Sequence, residues 1–307
     1  SDCVRQQHKD GAGQDGQLGP NPCPENLKQP GQRGQQPIGK QMWGIFGNKS
    51  GTTAGNSQGI KYTPTSGIWQ TVWLERVPAA CRIVDARITT AIEAPDGGSI
   101  TVAPTLVGAG CAEERFAAEV FNRTTGAVIV PRTSAASAHE LSAGVQLILP
   151  RPARLWSPSV PHLYGLRLTV GEDTVEATAG VREVKVLRSQ SDGLPRTHLN
   201  GEPFYQAGVL GQGFFPESLY AAPTDAALED DILKLKELGF NMVRKHILRE
   251  PDRWYHYADV HGVIIWQDMP SSFNLSGIVA QSQFEAELTE LVQSVRNFPS
   301  VFQFNNF

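Results

Sequence analysis

A chain of 307 residues is long enough for two or three domains. Its 31 acidic and 27 basic residues leave a net charge of −4, with no basic stripe to suit nucleic acid and no acidic solvating block. Hydrophobic residues make up 40 % and charged residues 19 %, enough for real cores, and no run reaches the ~18 apolar residues that a membrane span needs.

The chain opens with "SDCVRQQHKDGAGQDG", which lacks the apolar stretch of a signal peptide. Residues 1–36 are rich in Gln, Gly, Pro, Asn and charge, and read as a disordered low-complexity segment. From Gln41 to Pro78, "GIKYTPTSGIWQTVWLERVP" carries Pro and Gly punctuation and then Ile68, Trp69, Val72, Trp73 and Leu74. This reads as the last strands of a β domain, too short to fold alone, with Trp69 and Trp73 as core packing.

Residues 79–187 hold a run of short strands: "RIVDARITTAIE", "SITVAPTLVG", "RFAAEVFN", "GVQLILP", "LYGLRLTV" and "VEATAGVREVKVL". Turn residues separate them at Pro95–Gly98, Gly108–Gly110 and Gly171–Asp173, a spacing that predicts an antiparallel β-sandwich. Cys3, Cys23, Cys81 and Cys111 form no C-x-x-C pair, so no zinc site is expected. Cys81 and Cys111 read as two thiols in this β region, with a bridge between them as the alternative. Three N-x-S/T sequons, at Asn48, Asn122 and Asn274, point to the secretory route.

After Leu187 the texture changes. "PFYQAGVL" is a predicted strand, and Leu228, Ile232, Leu235 and Leu238 fall at helical spacing in "TDAALEDDILKLKELGF", with Thr224 as N-cap and Gly239 as stop. Strand "NMVRKHI", helix "PDRWYHYADVHG", strand "VIIWQDM", helix "FEAELTELVQSVRNF" and strand "VFQFNNF" follow. Strict alternation without hairpin signals predicts a parallel sheet, and four strands with three helices are half of a (β/α)₈ barrel. In that arrangement Arg244, His246, Asp268 and Asn306 sit at strand C-terminal ends, where such barrels build their sites. Gln212 follows the first strand and joins the candidates. Arg244 reads equally as a donor to a bound hydroxyl or carboxylate and as a structural ion pair. His246 divides between a ligand contact and a core histidine, and Trp266 is expected to pack. Asp230–Asp231 read as a solvated helix face, Glu113–Glu114 as a sandwich loop, and Glu250 as a lone acid near the strand ends.

Five stretches carry a resemblance: "SGIWQTVWLE" (66–75), "LWSPSVPHLYGL" (155–166), "GVREV" (180–184), "LNGEPFYQAGV" (199–209) and "FNMVRKHILREPDRWYHYADVHGVIIWQDMPS" (240–271). Together they resemble glycoside hydrolase family 2, which includes β-galactosidases, β-glucuronidases and β-mannosidases. The resemblance implies a partial jelly-roll sugar-binding domain over 37–78, an immunoglobulin-like sandwich over 79–187, and the first half of a TIM-barrel catalytic domain over 196–307. It implies a retaining hydrolase of β-glycosides using two glutamates. The family's "N-H-P-S-I-V-x-W-x-x-F-N-E" aligns with "NFPSVFQFNNF" so that the acid/base Glu, and the nucleophile after it, fall beyond Phe307. The chain as given is therefore expected to lack glycosidase activity. Gly211 stands where the related branch has an acid, and Phe298 where the family has His. Expected partners are a carbohydrate substrate and a second copy of the chain, with no nucleic acid, membrane or cofactor; some relatives take a divalent cation, but no ligand cluster here argues for one. The rival reading is a non-catalytic carbohydrate-binding or assembly protein, or a pseudoenzyme, that keeps the sandwich and half-barrel.

Overall fold

The computed structural model describes residues 70, 72–135, 138–189, 191–269 and 278–305. The expectations for residues 1–36, for the sequons at Asn48 and Asn274, and for Cys3, Cys23, Trp69 and Asn306 fall outside these. Of the stretch read as a jelly-roll remnant, only 70 and 72–78 are described. There Trp73 is half-buried, its indole donating to Glu75 Oε1 at 2.8 Å, so it is not the core residue expected. The chain divides into two compact units, one built on Val72–Tyr205 with Asn297–Pro299, the other on Gln206–Arg296 with Ser300 onward.

The first unit is a β-sandwich. Strands β1 (Arg82–Glu93), β2 (Gly97–Val107) and β5 (Val145–Ile148) form one antiparallel sheet in the order β1-β2-β5. Strands β3 (Phe116–Asn122), β4 (Val128–Ala135), β6 (Tyr164–Val170) and β7 (Asp173–Ala179) form the other, in the order β4-β3-β6-β7. Two-residue alternation builds the core: Leu166 and Leu168 of β6, Ile100 and Val102 of β2, and Leu147 of β5 are fully buried. Each such side chain contributes roughly 1.5–3 kcal/mol when removed from water. The opposite face of β6 carries Arg167, which stands across from Glu119 of β3 and Glu176 of β7 and pairs with both.

A disulfide joins Cys81 and Cys111, which decides between the two cysteine readings in favour of the bridge. The outer edge of β1 is closed by side chains. Ile83 N donates to the buried carboxylate of Asp173 at 2.8 Å. Asn297 pairs with β1 as a neighbouring strand would, its Nδ2 donating to Ala86 O at 2.7 Å and its Oδ1 accepting from Ile88 N at 3.0 Å.

Four elements differ from the sequence reading. Strand β4 and the short helix α1 (Ala138–Ala143) were not expected. The single strand "VEATAGVREVKVL" breaks after Ala179: β7 stays in the sandwich, while β8 (Val184–Arg188) pairs with β9 (Pro195–Leu199) and β9 with β10 (Glu202–Pro203) in a separate antiparallel ribbon. "PFYQAGVL" likewise divides, with Pro203 closing β10 and the next strand, β11, covering only Gly208–Gly211.

The second unit holds a four-stranded sheet of β11, β12 (Met242–Lys245), β13 (Ile264–Asp268) and β14 (Val301–Asn305), in that order and parallel throughout. Helices α2 (Asp225–Glu237), α3 (Asp252–His261) and α4 (Ile278–Val295) alternate with the strands. Thr224 caps α2, its hydroxyl accepting from Ala227 N at 3.1 Å, and Gly239 follows the helix at φ 83°. Leu228 and Ile232 are buried, whereas Leu238 is 72 % exposed: it is the C-cap residue, and the apolar stripe ends before it.

Candidate functional site

Parallel pairing puts the C-terminal ends of β11–β14 on one edge of the sheet. Strand parity then decides which face each side chain meets. In β12 Arg244 lies on one face and Lys245 on the other; in β13 Asp268 shares Arg244's face and Gln267 shares that of Lys245. The two faces hold separate polar clusters.

On the first face Arg244 Nε lies 3.0 Å from both oxygens of Asp268. Asn305 of β14, in register with Asp268, donates from Nδ2 to Asp268 Oδ1 at 2.8 Å. The Asp268 side chain is 0 % exposed, while 34 % of Arg244's side chain remains accessible. Beside them, His246 Nδ1 is 3.1 Å from Gln212 Oε1, and His246 N extends the β11–β12 ladder by donating to Gly211 O at 2.9 Å. Trp266 is half-buried and its indole donates to Gln206 Oε1 at 2.7 Å. Of the expected site residues, Arg244 and Asp268 thus form one cluster and His246 and Gln212 a second; Asn306 lies outside the described residues.

The opposite face holds a buried ion pair. Lys245 Nζ is 2.7 Å from Glu250 Oε1, with both side chains almost fully buried and the ammonium 4.2 Å from the centre of the Trp254 ring. Glu250 is therefore not a lone acid near the strand ends but the counter-charge of Lys245. Next to it, Tyr255 donates to Gln267 Oε1 and accepts from Glu250 N at 3.3 Å. Burial pushes the Tyr255 phenol well above its ordinary value, so it remains a donor.

Asn305, Gln206 and Gln267 were missed from sequence. Asn305 carried no clean signal: a register shift between Ile265 and Trp266 sets Val301 across from Ile265 but Gln303 and Asn305 across from Trp266 and Asp268, so alternation counted from Val301 points to the wrong face. Gln206 precedes its strand and carried none. Among the described residues no three His, Cys, Asp or Glu side chains are grouped to hold a metal ion.

Residues 81–182 match the family model of glycosyl hydrolases family 2. The chain is related to glycoside hydrolase family 2. A β-galactosidase from Klebsiella pneumoniae is 27 % identical over 265 residues, 77 % of this chain and 24 % of its own length. A β-galactosidase from Leuconostoc mesenteroides is 29 % identical over 216 residues, 65 % of this chain and 20 % of its own length. Among solved structures, a β-glucuronidase from Ruminococcus gnavus in complex with D-glucuronic acid superposes with a TM-score of 0.66 at 19 % identity, over 78 % of this chain and 39 % of that one. The chain thus spans about a quarter of the length of its curated family 2 relatives. The relatives are glycosidases, and they differ in the sugar that their names specify.

Proposed function

We propose that the second unit is the opening half of a (β/α)₈ catalytic barrel of a retaining β-glycoside hydrolase, and that its strand ends hold the substrate sugar. The supporting observation is the Arg244–Asp268–Asn305 cluster at the C-terminal edge of a parallel sheet. Three hydrogen bonds fix the Asp268 carboxylate, and Arg244 presents a partly open guanidinium whose planar donors suit a sugar hydroxyl or carboxylate. Gln212 and His246 supply further polar groups on the same rim; Asn306 extends the set by sequence position. The reaction requires no cofactor, and domain limits of 79–187 for the sandwich and 196–307 for the catalytic part accompany this reading.

Retention needs two carboxylates ~5–5.5 Å apart, one as nucleophile and one as acid. Asp268 is committed to Arg244 and Asn305, and Glu250 to Lys245. Neither is placed to attack an anomeric carbon or protonate a leaving oxygen. These 307 residues alone are proposed to bind sugar without hydrolysing it. The same commitment of both acids favours the binding reading for this chain taken by itself.

The test combines two assays on the purified chain. Aryl β-galactosides, β-glucuronides and β-mannosides should show no release above a no-protein control. Calorimetric titration with the matching monosaccharides should show binding of at least one, lost in Arg244→Met. Turnover abolished by Asp268→Asn would overturn the inert-chain reading; absence of any binding would overturn the sugar site. The Cys81–Cys111 bridge also supports passage through an oxidising compartment, testable by mass mapping of cysteines after rapid alkylation in the native cell.

A further inference from the structure

Gln267 is 0 % exposed and is polar in a strand whose neighbours Ile264 and Ile265 are fully apolar. A buried carboxamide must find partners for its donors and acceptor or destabilise the fold. Here it finds three. Its Nε2 donates to Leu248 O at 3.0 Å and to Asp268 O at 2.8 Å, and its Oε1 accepts from Tyr255. Tyr255 in turn accepts from Glu250 N. The carboxamide therefore ties the backbone at the end of β13 to the segment 248–250 that follows β12. Both strands deliver their site residues, Asp268 and Arg244, at these ends. Ile247, between His246 and Leu248, has φ 45°, a left-handed conformation that a β-branched residue adopts only when its surroundings impose it. The hydrogen bond that holds the Leu248 carbonyl is one such constraint.

We propose that Gln267 is a positioning residue: by clasping the carbonyls of Leu248 and Asp268 it holds the ends of β12 and β13 in the relation that lets Asp268 meet Arg244. It acts from the opposite face of the sheet and touches no ligand. This inference rests on the reading of that rim as a sugar site.

The decisive variant is Gln267→Glu, which keeps the shape and the acceptor for Tyr255 but replaces the two donor hydrogens with a carboxylate. Its pH response separates a hydrogen-bonding role from mere volume filling. Burial raises the pKa of a carboxyl, so the new group is charged at high pH and regains one donor as pH falls. The facing groups are Tyr255, which stays protonated, Glu250, paired with Lys245, and Arg249, whose guanidinium lies 5.8 Å from the centre of the Tyr255 ring. In the full chain, at about pH 8, the variant should bind the monosaccharide about tenfold or more weakly than wild type, the size of a lost buried hydrogen bond. Binding should recover toward wild type near about pH 5. Amide hydrogen exchange at Arg249, Glu250 and Met269 should accelerate and recover in the same pattern. Wild-type affinity in Gln267→Glu at both pH values, with unchanged exchange, would overturn the proposal. If wild type binds no sugar, the sugar site falls, while the exchange pattern still decides whether Gln267 holds the two segments. If Gln267→Glu does not fold, Tyr255→Phe decides: it removes one bond to the carboxamide and should accelerate exchange at Met269, which makes no bond to Tyr255 itself, and unchanged exchange there would overturn the proposal.

Discussion

Arg244 Nε is equidistant, at 3.0 Å, from the two carboxylate oxygens of Asp268. The pair joins neighbouring parallel strands at the edge proposed to hold sugar, so it has a structural and a binding consequence. Asp268→Ala leaves the guanidinium without its counter-charge. A fully buried pair broken in this way costs ~3–5 kcal/mol. Arg244 keeps part of its side chain in water, so a loss of about 2–3 kcal/mol is expected in chemical denaturation of the second unit. A change under about 0.5 kcal/mol, the range of ordinary surface substitutions, would show the pair to be dispensable.

The Lys245–Glu250 pair tests the opposite face. Lys245→Met alone strands a buried carboxylate and should destabilise by about 3–5 kcal/mol. Adding Glu250→Leu removes the stranded charge and should recover most of that loss, since replacing a buried pair with apolar groups is often neutral or better. A double variant as unstable as the single would mean that the charges contribute beyond mutual compensation. Denaturant midpoints for the three proteins at matched slope decide it.

Reduction of Cys81–Cys111 should loosen the first unit. The bridge spans 30 positions, and closing a loop of that size is worth about 3–4 kcal/mol in the chain-entropy account. The paired variant Cys81→Ala/Cys111→Ala should lower the melting temperature of the sandwich, and reductant should lower wild type to match while leaving the variant unchanged. Equal melting of oxidised and reduced wild type would contradict the expectation.

Gly213 is a fourth probe. Its φ is 59°, and a Cβ there would come within 2.2 Å of Glu250 Oε1 and 2.4 Å of Leu248 Cδ2. Gly213→Ala therefore combines a left-handed alanine, about 1 kcal/mol or more, with overlap against a buried carboxylate that cannot swing away from Lys245. The expected loss, about 2 kcal/mol or more by thermal denaturation, should exceed that of Gly193→Ala. Gly193 has a similar φ of 71° but open space around its Cα.

The strands and helices of the second unit were largely legible because each carries a clean period bounded by a cap or glycine, as in Thr224 before α2 and Gly262 after α3. Arg244 and Asp268 were legible as candidates because alternation fixed their face. The breaks were not. "VEATAGVREVKVL" reads as one strand because its β-branched residues continue across Gly180, and only long-range pairing separates β7 from β8. Strand β4 was hidden because "VIVPRTSA" contains a proline and exposed polar residues, as an edge strand can. Asn305 was passed over because the register shift after Val301 breaks the alternation that would have fixed its face. Gln267 was invisible as a clasp, since its partners are backbone carbonyls that no sequence pattern marks.

The central claim is that the rim bearing Arg244 and Asp268 holds a sugar. The most direct measurement is a nuclear magnetic resonance titration of the ¹⁵N-labelled chain with galactose, glucuronic acid and mannose, following the Arg244 Nε–H and the Trp266 indole N–H. The account expects at least one sugar to shift both signals saturably, and Asp268→Asn to abolish the shifts while the sandwich resonances stay in place. Shifts confined to the sandwich, or none with any of the three sugars, would contradict it.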